Sequence, residues 1–460
     1  MRPISTFCTS ATDPTIEICG MLQRIPILFL TIALPLITIA QELPRRAFLG
    51  IRMEALTDDV RRIIGIGDVN GVLVAEVIPN STAAEAGWKK GDVLTTIGES
   101  KVASIDEVLA ALAQFQSGDQ FNYRLHREGK EVKGKAKLKG WAYESYPGLE
   151  MEYSSFRSQI GTQRSIIAKG KRSKDRKLPV IVFIGGLGCY SLDTPQDTAR
   201  SETQLLNTLA RNGYLAVRAE KPGIGDGART SKACNEVSIS EEVASYVQLI
   251  KDLKRRPDVD SSDITIFGHS MGGLMAPMIA QHTPVQKLIA YGTFGSSILE
   301  YLPKTRRTIG EAYGWDLDST EKYINDFNEC ATWYFADRMT SEEVAKKKPI
   351  CAEMMGVFDL RSRAYMDELY QANVAGLWRA FNGKALFMYG ESDYIASRED
   401  HEILQQVMDK YHPGNGTLKI IPATDHGMNS AADFKAAATS PCEYNPQVGK
   451  IVLEWMRSTK

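Results

Sequence analysis

Hydrophobic and polar positions divide the chain into two unlike parts. Over residues 44–140 the apolar residues come in short runs of strand character, with one helical stretch. Residues 71–78 form an apolar β run that ends at the turn formers Pro79-Asn80. Residues 81–87 read as a serine-capped helical turn closed by a glycine, and 91–97 as a second strand. Ile105, Val108, Leu109 and Leu112 share one helical face over 104–115, with Ser104 as N-cap. Residues 121–126 and 131–138 complete a hairpin.

From about residue 146 to 460 the pattern changes. Residues 178–184 are almost continuously apolar, as a strand buried on both faces requires. The stretches 214–218, 264–267, 287–291, 385–389 and 418–421 share that character. Helical patterns occupy 201–211, 240–253, 271–281 and 398–411. The alternation predicts an α/β fold, a doubly wound and mostly parallel sheet, preceded by a small β-rich domain. Residues 150–156 and 164–168 are expected to form a leading antiparallel pair. Between about 295 and 383 the alternation stops, and a helix-like insertion carries Tyr301, Tyr313, Trp315, Tyr323, Phe327, Trp333, Tyr334, Phe335 and Trp378.

Length and composition agree with two domains: 460 residues exceed one compact core, and 43% hydrophobic with 24% charged residues is ordinary for a globular enzyme. A formal charge of −1 provides no field for polyanions, so nucleic acid is not expected as a partner. Arg24 precedes an apolar run over 25–39 that ends in Thr38-Ile39-Ala40. That is the pattern of a secretory signal peptide over residues 1–40, cut after Ala40, with Met21 as an alternative start. The run is shorter than the roughly 20 residues a spanning helix needs. An exported protein, periplasmic or extracellular, without a stable membrane span after signal removal, is the expectation; an uncleaved anchor is the alternative. Loss of Cys8 and Cys19 with the leader leaves Cys189, Cys234, Cys330, Cys351 and Cys442, an odd number in a compartment that permits disulfides.

The series GVLVAEVIPNSTAAEAGWKKGDVLTTIGESKVASIDEVLAAL resembles a PDZ domain of the type found in exported bacterial proteases. The resemblance implies that Phe48-Leu49-Gly50-Ile51 presents backbone N–H groups to a peptide's terminal carboxylate. The strand from Ile51 would accept that peptide by strand addition, with the helix over 104–115 as the other wall. Simple packing against the enzyme part, with no ligand, is the alternative.

Chemistry concentrates in the second part. Gly268-His269-Ser270-Met271-Gly272 fits G-x-S-x-G between a buried strand and a helix, the setting of a serine held on a sharp turn. A serine nucleophile needs a base, and the base an orienting carboxylate. Asp393 follows the strand over 385–389, and His426 follows the strand over 418–421; Glu391 and Asp425 are the alternative carboxylates. Over residues 146–460 the chain resembles the α/β-hydrolase superfamily. The resemblance implies Ser270, Asp393 and His426 as a triad, and Leu187 and Met271 as backbone oxyanion donors. Gly185 stands where that superfamily often has histidine in H-G-x-G, so the match rests on the glycines. The insertion over 295–383 would be a lid, and no cofactor is implied. His269 reads as holding the turn, and no histidine pair has zinc spacing, so no metal is expected.

Two disulfides are expected, Cys189–Cys234 on the active-site rim and Cys330–Cys351 in the lid, with reduced thiols as the alternative. The leading activity is carboxylic-ester hydrolysis of a small-molecule or acylated substrate. A serine peptidase or amidase on the same triad and a non-catalytic PDZ-directed scaffold are the alternatives.

Overall fold

The computed structural model describes residues 43–171, 176–441 and 443–459. The expected leader and Cys442 lie outside them. In the first part, β1 (Ala47–Phe48), β2 (Ile51–Ala55), β3 (Val72–Val77), β4 (Val93–Ile97), β5 (Ser100–Lys101), β6 (Gln120–Arg127), β7 (Lys130–Lys137) and β8 (Lys139–Gly140) follow in chain order. One sheet runs β2-β3-β4-β6-β7 with β5 paired to β4, while β1 pairs only with β8. Val74, Leu94, Val108, Phe121 and Leu125 interlock as its core. The helix Ile105–Leu112 starts at Ser104, whose hydroxyl accepts the Glu107 N–H, and ends three residues before the expected limit.

The second part holds β9 (Leu149–Ser158), β10 (Gly161–Gly170), β11 (Leu178–Ile184), β12 (Leu215–Ala219), β13 (Val259–His269), β14 (Lys287–Tyr291), β15 (Lys384–Gly390) and β16 (Gly416–Ile421). They form one sheet in the order β16-β15-β14-β13-β11-β12-β10-β9. β11 to β16 are parallel to one another, while β10 runs antiparallel to both β12 and the edge strand β9. Side chains of β11 alternate between two cores. Val180, Val182 and Ile184 pack with Ile239–Lys254 and Met271–His282 on one face. Ile181 and Phe183 pack with Ser201–Arg211 and Pro446–Ser458 on the other. A period of two in a continuous apolar run thus buries both sheet faces.

Between β14 and β15 lie the helices Ile298–Ala312, Leu317–Ala331, Ser341–Lys347, Cys351–Gly356, Arg363–Gln371 and Val374–Ala380. Phe327, Tyr334, Phe335 and Trp378 are buried in the core of this insertion, while Tyr313 and Trp315 are exposed. Cys330 and Cys351 are disulfide-bonded inside it, and Cys189 is bonded to Cys234.

A buried ion cluster joins the two parts. Asp226 accepts from the Arg45 guanidinium (2.7 Å), the Arg46 N–H (2.8 Å) and Arg164 Nε (2.7 Å). Arg45 also pairs with Asp193 at 2.7 Å and donates to the carbonyls of Trp141 and Ala142.

Candidate active site

Ser270 occupies the single residue between β13 and the helix Met271–His282, at φ 55° and ψ −119°. A non-glycine residue there costs about 1–3 kcal/mol and persists only when its surroundings fix it. The Ser270 N–H donates to the Tyr291 carbonyl (2.9 Å), and the Ser270 carbonyl accepts from Gly273 N–H (2.9 Å). A Cβ on Gly268 would overlap the Gly272 carbonyl, so the approach of strand to helix excludes any larger residue there.

Asp393 and His426 meet beyond the ends of β15 and β16. The His426 Nδ1–H donates to Asp393 Oδ2 at 2.9 Å. Asp393 Oδ1 is held by the N–H groups of Ile395 and Ala396, both at 2.8 Å, which leaves Oδ2 for the imidazole. Asp393 is fully buried and His426 is partly exposed. Burial works against a charged His426; the Asp393 charge and hydrogen bond outweigh it and raise the imidazole above the ordinary histidine range. The two alternative carboxylates stand elsewhere: Asp425 accepts from Asn429, and Glu391 is exposed.

His269, next to the serine, donates from Nε2 to the His426 carbonyl at 2.8 Å. Burial first, and then the neighbouring His426, push His269 down to about 4, so it stays neutral and ties the serine turn to the histidine loop. A Cβ at Gly292, one residue beyond the Tyr291 that holds Ser270, would lie 3.0 Å from both Asp393 Oδ2 and His426 Nδ1. The three residues therefore share one end of the sheet. Ser270 and His426 form no direct hydrogen bond in this structure. Of the other histidines, His401 is buried between Ser397 and Thr293, His282 ends the helix after Ser270, and His412 donates to the Arg379 carbonyl. The last two stand at helix ends.

Met271 is the first residue of its helix, so its N–H is among those with no acceptor within the helix. Leu187 lies on the loop after β11, where a Cβ at Gly186 would sit 3.3 Å from Ser270 Cβ and 3.6 Å from its Oγ. The Gly186 N–H donates to the Tyr190 hydroxyl at 3.2 Å. Sequence reasoning missed Tyr190 and Asp226, because no motif marks either one.

In the first part, Phe48, Leu49, Gly50 and Ile51 line a cavity of about 460 Å³ together with Met53, Leu109, Leu112 and Phe115. Gln196, Asp226 and Arg229 of the second part close one side of it. Gly50 is at φ 75°, and a Cβ there would fall inside the Ser81 side chain. The adjoining carbonyls are occupied, Leu49 by Ala83 N–H and Gly50 by Ile78 N–H, both at 2.9 Å.

Residues 181–438 match the model of the alpha/beta hydrolase family, and residues 47–138 match that of the PDZ domain. A do/HhoA-like periplasmic serine protease of Haemophilus influenzae is 34% identical over 94 residues, 20% of this chain and 20% of that protein. The periplasmic serine endoprotease DegP of Escherichia coli is 32% identical over 88 residues, 19% of each. The chain thus spans about a fifth of the length of the curated relatives it matches. Among solved structures, an esterase of Pyrococcus furiosus aligns at 13% identity and a TM-score of 0.44, over 70% of this chain and 99% of that one. The Est1E protein of Butyrivibrio proteoclasticus aligns at 14% and 0.41, over 67% and 98%. Among the described residues, no helix is long and apolar enough to cross a membrane.

Proposed function

Because the chain belongs to the alpha/beta hydrolase family and carries a PDZ domain ahead of that part, we propose that it is an exported serine hydrolase of carboxylic esters. In this reading residues 44–140 are the peptide-reading domain, 146–460 the catalytic domain and 295–383 its lid. His426 Nε2 takes the proton of Ser270, whose Oγ attacks the ester carbonyl carbon. The carbonyl π pair moves onto oxygen, where the N–H groups of Leu187 and Met271 hold the charge. Asp393 keeps Nδ1 protonated and supports the imidazolium. Collapse of the intermediate expels the alcohol with a proton from His426. Water, deprotonated by His426, then attacks the acyl-enzyme, and the acid leaves as Ser270 recovers its proton.

The observation that carries this reading is the Asp393–His426 hydrogen bond at the same sheet end as a serine in a strained turn at a helix start. Ester turnover should fall by about 10⁴-fold or more in Ser270→Ala, with the fold kept. Initial rates on esters of increasing acyl length and on matched peptide amides test it. Equal rates in wild type and Ser270→Ala would overturn it, and efficient amide turnover would replace ester with amide as the substrate class.

Export draws support from the apolar run over 25–39 and from the periplasmic relatives of the PDZ part. Peptide binding draws support from the Gly50 loop and the cavity beside it. A fluorescent peptide ending in an apolar residue should bind, and Gly50→Ala should abolish binding while ester turnover remains. Equal binding by both proteins would remove the groove from the reading.

A further inference from the structure

We infer that Tyr190 is a positioning residue of the oxyanion loop, its hydroxyl taking the place and the work of a side chain at position 185. The inference rests on the ester-hydrolase reading above, in which Leu187 N–H faces the developing oxyanion.

Gly185 brings no side chain of its own. The space beside it is filled from five residues further along the chain. A Cβ on Gly185 would lie 2.8 Å from the Tyr190 hydroxyl oxygen. That oxygen accepts the Gly186 N–H at 3.2 Å. On Gly186 a Cβ would stand 3.3 Å from Ser270 Cβ. One stretch of backbone therefore touches both the phenol and the nucleophile. The Gly186 N–H lies in the Gly185–Gly186 peptide plane, one plane before the Leu187 N–H; holding that plane from one side, with Gly186 packed on Ser270 from the other, narrows the directions the Leu187 N–H can take.

The tyrosine is itself held on several sides. Cys189, its neighbour, is bonded to Cys234. Ser191 on the other side donates to Glu220 at 2.6 Å, and Leu192 N–H donates to the same carboxylate at 3.0 Å. The Arg200 guanidinium stands 5.4 Å from the ring centroid and donates to the Ser191 carbonyl at 3.1 Å. Burial pushes the phenol up to about 12, so at neutral pH it is an uncharged hydroxyl able to accept the Gly186 N–H. Without that oxygen the Gly186 N–H would face a bare ring, and the loop would lose the preorganisation an oxyanion site depends on.

Tyr190→Phe keeps the ring and removes only the acceptor. It should lower kcat by about 10- to 100-fold, the scale of a small misplacement near reacting atoms, with KM nearly unchanged. Affinity for a trifluoromethyl ketone analogue, which forms a tetrahedral adduct on Ser270, should fall with kcat/KM, while affinity for the product acid stays level. A kcat within a factor of about two of wild type overturns the inference. Ser270→Ala is assayed beside it. Turnover surviving in Ser270→Ala overturns the ester-hydrolase reading and this inference together; turnover lost there but intact in Tyr190→Phe overturns this inference alone. Should Tyr190→Phe fail to fold, Gly185→Ala keeps the phenol but displaces its oxygen. It should show the same loss confined to kcat, and an unchanged kcat there also overturns the inference.

Discussion

At His426 two effects oppose each other, and in the proposed mechanism their balance sets the working pH. Burial disfavours the imidazolium, and the Asp393 carboxylate more than restores it, so the pKa lies above the ordinary value. The base must be neutral to accept the serine proton. The acid limb of kcat/KM should therefore have its midpoint above the unperturbed histidine value of about 6.5, with activity rising as pH rises through it. In Asp393→Asn burial remains and the charge is gone, so the midpoint should move down and kcat fall by about 10⁴-fold. pH–rate profiles of both proteins check this; an unmoved midpoint would contradict it. That Ser270, Asp393 and His426 stand at one end of the sheet was legible in the sequence, because each follows a nearly continuous apolar strand. Tyr190 could not, since its hydroxyl fills a space that no pattern of residue types announces. Asp226 could not, because its three partners lie 62 to 181 residues away.

Elements that bury both faces were legible, and those that bury little were not. The central strands start and stop within a few residues of their apolar runs, because burial on two faces leaves no polar positions to blur them. Asp58–Ile64 was invisible: none of its side chains is buried, so it has no apolar stripe. Pro446–Ser458 was readable and was missed, with Asn445 as cap, Pro446 in its first turn, and Val448, Val452, Trp455 and Met456 buried. The insertion between β14 and β15 was expected as helical, and it is, but it carries no motif for a substrate. At the strand–helix junction, Gly268→Ala should cost about 1–3 kcal/mol, the usual cost of forcing atoms into a filled space. Urea unfolding should show a lower midpoint at unchanged slope. In that insertion, the Cys330–Cys351 link spans 21 residues. Replacing both by serine should cost about 3 kcal/mol by loop-entropy reckoning, read by the same method.

Across the whole molecule, the two parts are joined by charge taken out of water. Asp226 and Arg45 have side chains 1% and 5% exposed. Asp226→Ala would leave Arg164 and part of Arg45 buried without their partner, a change that usually costs about 3–5 kcal/mol. Differential scanning calorimetry should show the single transition lowered or split in two. An unchanged profile would mean that the cluster joins the parts without stabilising them.

The short β1–β8 ladder has a further consequence. Ala47 lies opposite Gly140, and the Trp141 N–H donates to the Arg46 carbonyl at 2.9 Å. The polypeptide thus enters and leaves the PDZ part side by side, through one doorway two residue pairs deep. A two-residue hairpin turn could close that doorway directly behind Arg46, leaving Arg45 on Asp226 and Asp193. Everything between is a cartridge, fastened at this doorway and by the Asp119–Arg229 ion pair at 3.8 Å, whose removal would leave the Arg45–Asp226 and Arg45–Asp193 pairs in place.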